Sequence, residues 1–242
     1  VPEGVLAERM ETLSGFPRRE VWRTDTLGLE RLWCAEKQTF SVSLETPWKY
    51  KDPAYRRFRR YPPKVVDGRV RLDRSYKNPA MVQAILETWH ELHPELTRLE
   101  QIGRSREGRA IMAMAIGRDL QGRDDRPTIF INGAHHGNEL LSVEFVLDHI
   151  AQLLEEGATD ERVDRWLDSF VVWAVPIVNP DGLEAFLEVS ARTGRKNGAD
   201  HNHDGARGRL EGVDLNRNYP FKWGSLGEKG SRSRKSSVYY RG

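Results

Sequence analysis

The chain has 242 residues, 38% of them hydrophobic and 31% charged, with 38 Lys and Arg against 36 Asp and Glu. That balance excludes a disordered polyelectrolyte and leaves room for one large or two small folded domains. The formal charge of +2 is spread along the chain, and the two basic runs, 56–60 and 232–235, read as solvated faces rather than a nucleic-acid stripe. With a single cysteine, Cys34, no intramolecular disulfide forms. No apolar run approaches the length of a membrane-spanning helix. The chain opens at Val1 with no leader pattern, and it reads as a mature form or a piece of a longer chain.

Residues 1–70 carry the weakest signals. Segments 27–33 and 39–44 look like short elements, and Phe40, Val42 and Leu44 alternate as one face of a strand does. Residues 50–63, rich in Arg, Tyr and Pro, read as a connection. No internal repeat is visible. A clearer domain starts near Leu72. Asn78 is an N-cap with Pro79 at the first helical position. Met81, Val82, Ile85, Leu86, Trp89 and Leu92 then make a helical stripe ending before Pro94. The stripe, Met81 and Trp89 included, reads as core, and His90 and His93 as surface. Residues 96–102 and 110–116 read as strands joined by the polar, Gly-bounded stretch 103–108, a hairpin.

The most informative stretch follows. Residues 127–134 form a short apolar β-forming run, and residues 140–154 repeat Leu, Val, Phe and Ile at spacings of three and four. Between them lies Gly133-Ala134-His135-His136-Gly137-Asn138-Glu139. His136 and Glu139, three residues apart at a helix start, can face one point. Imidazole plus carboxylate suits Zn²⁺. The flanking glycines let the backbone approach whatever is bound. A surface His beside a first-turn Glu favoured by the helix dipole accounts for the same pair without a metal. Residues 160–167 read as a short helix, 170–178 as a buried strand, 179–182 (Asn-Pro-Asp-Gly) as a turn, and 182–189 as the start of a further helix. This order predicts an α/β fold, a mixed β-sheet flanked by helices, with its site at the carboxyl ends of parallel strands, where His136 and Asn179 fall. The polar, Gly-rich segment 193–221 is too long for a plain connector.

Four landmarks stand in order: Gly103-Arg104-Ser105-Arg106-Glu107-Gly108-Arg109; His136-Gly137-Asn138-Glu139; Asn179-Pro180-Asp181-Gly182; and Gly212-Val213-Asp214-Leu215-Asn216-Arg217-Asn218-Tyr219. Together they resemble the zinc metallocarboxypeptidases of the carboxypeptidase A/B and T group, over about residue 72 to the end. The resemblance implies that His136 and Glu139 are zinc ligands, that Arg195 stabilises an oxyanion, and that Asn216 and Arg217 hold the terminal carboxylate of a peptide or protein substrate. The chemistry agrees: guanidinium is planar, always charged and able to grip a carboxylate through two hydrogen bonds, and a cation aimed at a developing oxyanion is worth several kcal/mol.

The departures are equally specific. The family's third zinc ligand, a histidine, and its catalytic glutamate both lie later than anything matched here, and no histidine follows His203. Residues 238–242 resemble the stretch shortly before that ligand. The expectation is therefore a chain cut inside the domain, with residues 71–242 its N-terminal part, binding zinc weakly and lacking peptidase activity alone. His201 or His203 as a substitute ligand is the less favoured alternative. Residues 33–48 faintly resemble the strand carrying the family's glutamate. On that reading residues 1–70, of unclear fold, hold the tail of a preceding peptidase-like domain, with Glu45 in the base position; an unrelated strand ending in an exposed Glu is the plainer reading.

Between Arg195 and the Asn-Arg pair, Asp200, Asn202, Asp204 and Glu211, with Gly205, fit the D-x-N-x-D-G-x5-E calcium loop without the helices of an EF-hand. An Asx-rich turn without Ca²⁺ fits as well. A lone loop of this kind is weak, so calcium would favour a secreted or periplasmic setting. Three functions stand at this point: removal of C-terminal residues by a zinc exopeptidase, hydrolysis of peptidoglycan peptides or amides on the same fold, and non-catalytic binding of peptide carboxylates.

Overall fold

The computed structural model describes residues 39–43, 63–73, 75–121, 125–157, 159–188, 194–205, 208 and 210–242. Segment 27–33, Glu45 and nearly all of the connection 50–63 lie outside the described residues.

The elements form where local chemistry favours them. Helix α1 (Pro79–Leu92) starts where the Asn78 Oδ1 accepts a hydrogen bond from the Met81 N–H, with Pro79 in its first turn. Proline costs nothing there, because the N–H it lacks has no helical partner at that position. Val82, Ile85, Leu86 and Trp89 form its buried stripe, and full burial of such a side chain contributes about 2 kcal/mol. The helix stops at His93, ahead of Pro94, whose ring disfavours the helical conformation in the residue before it. His90 and His93 are half-buried rather than on the open surface, because the chain folds straight back: the His90 ring meets the Thr97 hydroxyl at 2.9 Å.

Strand β1 (Thr39–Ser43) and the small antiparallel pair β2 (Lys64–Val66) and β3 (Arg69–Arg71) precede α1. After it come β4 (Thr97–Arg104) and β5 (Ala110–Ile116), an antiparallel hairpin whose register slips between Gln101 and Gly103. The slip leaves Ile102 half exposed. Then follow β6 (Thr128–Asn132), α2 (Leu140–Glu156), α3 (Glu161–Ser169), β7 (Val171–Val175) and α4 (Pro180–Glu188).

The predicted Asn-Pro-Asp-Gly turn is instead the start of α4. Asn179 caps it, its Oδ1 accepting from the Gly182 N–H at 2.9 Å, and Pro180 is the first helical residue. Asn before Pro does here what Asn78 does before Pro79, and the chain continues as helix because residues 183–187 supply an apolar face.

The main sheet has the order β1-β6-β7-β5-β4. β6 pairs in parallel with both β1 and β7, while β5 is antiparallel to both of its neighbours, β7 and β4, so the mixed sheet is as expected. One core joins helices and sheet, with Leu86, Trp89, Met114, Ile116, Val146, Leu147, Ile150, Leu167 and Leu183 fully buried in it. Val70 of β3 is buried in the same core. For function, the decisive feature is the register of β6 against β7: Asn132 lies opposite Val175, so both strands end together on one sheet edge. On the other side of β6, the parallel β1 ends at Ser43, also opposite Asn132.

Candidate functional site

Two loops leave that edge side by side, 133–139 after β6 and 176–179 after β7. Backbone bonds stitch them together: Gly133 N–H to Val175 O (3.0 Å), Val178 N–H to Gly133 O (3.0 Å) and Asn179 N–H to Ala134 O (3.0 Å). The packing admits no side chain at Gly137, where a Cβ would lie 2.0 Å from the Leu183 nitrogen and 2.1 Å from the Gly182 carbonyl carbon. Ala134, fully buried, is held in the left-handed region at φ 49°, a conformation that costs a non-glycine residue about 1–3 kcal/mol. Its N–H is anchored on the Ser142 hydroxyl at 2.8 Å. This forced turn swings His136 back toward the helix start.

His136 and Glu139 meet there as the spacing predicts. The His136 Nδ1 lies 3.0 Å from the Glu139 Oε1, and the two residues are 1% and 5% exposed. Glu139 occupies the N-cap position of α2, yet its side chain makes no capping bond; it is turned to the imidazole. The other ring nitrogen, Nε2, faces the Asp214 Oδ1 at 3.0 Å.

Asp214 is the organising group that sequence reasoning left without a role. It is fully buried. Its Oδ2 accepts a hydrogen bond from the Arg195 Nε at 2.9 Å and lies 2.8 Å from Nη2 of the same guanidinium, an ion pair. Its Oδ1 also accepts from the Asn216 N–H at 3.1 Å, capping the 3-10 turn Leu215–Arg217. The Arg217 N–H then returns to the Asp214 carbonyl at 2.9 Å. One carboxylate thus ties the predicted metal-ligand histidine, the predicted oxyanion arginine and the predicted carboxylate-binding pair into one cluster. A cue was available in the chemistry of metal-bound histidine, whose second nitrogen usually donates to a carboxylate.

The electrostatics follow from this geometry. Burial pushes the His136 imidazolium toward losing its proton, but the hydrogen bonds to Asp214 and Glu139 outweigh it and raise the pKa to about 9. Burial opposes ionisation of Asp214, but the bond to His136 and the charges of Arg195, His136 and Arg217 hold it below the usual carboxylate range. An ionised Asp214 can only accept, so the Nε2 facing it carries the proton, and a neutral His136 would present its lone pair at Nδ1, beside the Glu139 carboxylate. A nitrogen lone pair and a carboxylate oxygen converging at 3.0 Å in a buried site fit a divalent cation of borderline softness such as zinc.

Of the other predicted residues, Arg195 is buried rather than a surface arginine. Its carbonyl accepts from the Asn179 Nδ2 at 3.3 Å, the same amide that donates to the His135 carbonyl at 3.1 Å. Arg217 is half-buried, its Nη1 donating to the Asn216 carbonyl at 2.8 Å. His135, also buried, meets the Tyr219 hydroxyl at 2.6 Å. Asp181 accepts from the Ser105 hydroxyl (2.6 Å), the Glu107 N–H (3.1 Å) and Arg109 (2.8 Å), and so fastens the β4–β5 turn to the start of α4.

The segment considered for calcium stands apart from this cluster. Ligand oxygens of Asp200, Asp204 and Glu211 lie within 4.8 Å of one another. The Asp200 carboxylate, half-exposed, accepts backbone N–H groups of Asn202, His203 and Gly205, which together overcome its desolvation and lower its pKa. Asn202 donates to the Asp204 Oδ2 at 3.0 Å. The alternative zinc ligands are placed elsewhere: the His201 Nε2 meets the Gly212 carbonyl at 3.1 Å, with its ring edge-on to Tyr240, and His203 is exposed.

Known proteins resemble this chain in sequence and in fold. Metallocarboxypeptidase A of Trichophyton tonsurans is 38% identical over 149 residues, covering 60% of this chain and 33% of that protein. Zinc carboxypeptidase of Saccharothrix mutabilis subsp. capreolus is 33% identical over 136 residues, covering 56% of this chain and 30% of that one. The chain therefore spans about a third of the length of these curated relatives. Among solved structures, carboxypeptidase A from Helicoverpa armigera superposes with a TM-score of 0.62 at 22% identity, covering 99% of this chain and 51% of that one, a likeness of fold. The family model described as zinc carboxypeptidase matches residues 82–242. On that match, which takes in the paired loops, the His136 cluster and the Asn-Arg turn, the chain belongs to the zinc carboxypeptidase family.

Proposed function

We propose that this chain belongs to a zinc-dependent carboxypeptidase domain that hydrolyses the last peptide bond of peptides and proteins. The observation that carries the reading is the convergence on Asp214 of His136, Arg195 and the backbone of Asn216 and Arg217. His136 and Glu139 would hold the metal. When bound, zinc supplies a polarised scissile carbonyl and a water of pKa about 7. Arg195, oriented by Asp214, offers positive charge to the oxygen on which negative charge develops. Asn216 and Arg217 bind the free carboxylate and so select chain ends over internal bonds. β1 pairs with β6 inside the main sheet and Val70 lies in the same core, which supports counting both with the peptidase-like domain rather than with a separate domain before it.

The selectivity for chain ends is testable on the 242-residue chain without turnover. N-acetyl-leucine should bind, and its amide should bind about tenfold to a hundredfold more weakly, the worth of a charge-assisted hydrogen bond. Replacing Arg217 by Gln should remove the difference. Equal binding of acid and amide by the unaltered chain would overturn the reading and favour a function unrelated to C-termini.

The second metal we assign is Ca²⁺, held by Asp200, Asn202, Asp204 and Glu211. Oxygens on opposite sides of a calcium ion stand about 4.6–5.2 Å apart, which the separation of the three carboxylates accommodates. Bound calcium would pin the loop between Arg195 and Asp214. A lone loop of this sort would fill only at the millimolar calcium found outside cells, so an ion bound here would favour a secreted or periplasmic setting. The melting temperature should rise when calcium replaces chelator; identical melting curves would remove the ion.

A further inference from the structure

Tyr239 lies between the two arginines of the site. The Arg195 guanidinium carbon is 5.0 Å from its ring centre, and that of Arg217 is 6.0 Å away. The backbone that carries the ring is tied down on both sides. The Tyr239 carbonyl accepts from the Arg232 N–H at 2.9 Å, its own N–H donates to the Ser237 hydroxyl at 3.2 Å, and the next residue's carbonyl accepts from the Asp214 N–H at 2.9 Å. Yet 43% of Tyr239 remains exposed, so little of the core depends on it.

The two arginines need such a neighbour for different reasons. Arg195 has the edge of its guanidinium plane committed to Asp214, which leaves the flat face open to stacking. Arg217 has one hydrogen bond to a carbonyl, Nη1 to Asn216 O, and a long side chain with several soft torsions. An aromatic face attracts a guanidinium within about 6 Å and restricts those torsions without consuming its N–H donors, which stay free for a carboxylate.

We infer that Tyr239 is a positioning residue that stacks on Arg195 and Arg217 and sets the direction in which Arg217 presents its donors to the substrate carboxylate. The inference rests on the carboxylate-binding role proposed above, and the aromatic ring, not the hydroxyl, is the working part.

The test compares Tyr239→Leu with Tyr239→Phe in the 242-residue chain, using N-acetyl-leucine as probe and the arginine side-chain Nε–H signals in NMR as a ligand-free readout. Leucine should weaken probe binding about threefold to tenfold, the loss of two partly exposed cation–π contacts, and should move the Nε–H signals of Arg195 and Arg217 as the ring current disappears. Phenylalanine should restore both. Unmoved arginine signals, or leucine binding the probe as the unaltered chain does, would overturn the inference, as would phenylalanine failing where leucine fails. If the unaltered chain ignores the probe while the arginine signals still move with Leu and return with Phe, the stacking stands and only the carboxylate reading falls.

Discussion

Replacing Asp214 by alanine is expected to destabilise the fold by about 3–5 kcal/mol, the cost of stripping a buried ion cluster of its partner. The carboxylate is fully buried and answers two cations at once, the His136 imidazolium at 3.0 Å and the Arg195 guanidinium at 2.8–2.9 Å. Alanine leaves the Arg195 charge without its carboxylate in a dry site, leaves His136 with Glu139 alone, and also removes the acceptor for the Asn216 N–H. Water cannot readily replace these bonds, because His136 and Arg195 are 1% and 5% exposed. Urea denaturation measures the loss. A double change, Asp214→Ala with Arg195→Met, should cost clearly less than the sum of the two single changes, since the second removes the orphaned charge. A single-change loss under about 1 kcal/mol, in the range of exposed pairs, would mean that the cluster is solvated and has no organising role.

The second large effect is on pH dependence. In the metal-free chain the folded-state pKa of His136 is about 9 against an unperturbed 6.5. The folded protein therefore favours the protonated ring. That contribution is fully present below pH 6.5, declines as the pH rises, and is gone above about 9. At 1.36 kcal/mol per unit, the loss across that interval is of the order of 3 kcal/mol. The measurement is the urea midpoint from pH 6 to 9.5 in the presence of chelator, with His136→Gln as control. The control should lack the His136-linked part of the decline. A stability profile identical in the two proteins would show that His136 is neutral in the fold, and that Asp214 and Glu139 do not share a proton-bearing imidazole. The same proton opposes metal binding, since a cation taking the Nδ1 lone pair must displace it.

Several of these features were legible in the chain. The cap-and-proline start of α1, the apolar stripe of α2 and the buried runs that became β6 and β7 follow from rules acting over a few residues. The pairing of His136 with Glu139 is of the same kind. The start of α4 was readable by the rule applied at Asn78, but the glycine that follows Asp181 turned the reading toward a turn. The parallel pairing of β1 with β6 had no sequence cue, because strand partners are chosen by the whole sheet, not by the strand. Asp214 was visible as a member of a motif and yet mute as a functional group. Its bond to His136 joins positions 78 residues apart, and its bond to Arg195 joins positions 19 apart.

By itself, then, the sequence determined which residue types stand ready: an imidazole and a carboxylate at a helix start, an Asn-Arg pair in a tight turn, and apolar periods that make a mixed sheet with helices. Those depend on dihedral preferences and short spacings. Only the tertiary structure decided that Asn132 and Val175 end on one sheet edge, that Asp214 binds His136 and Arg195 together, and that Tyr239 lies against both arginines. Such relations depend on strand register and on which buried charges share an enclosure, and these are settled when distant segments pack.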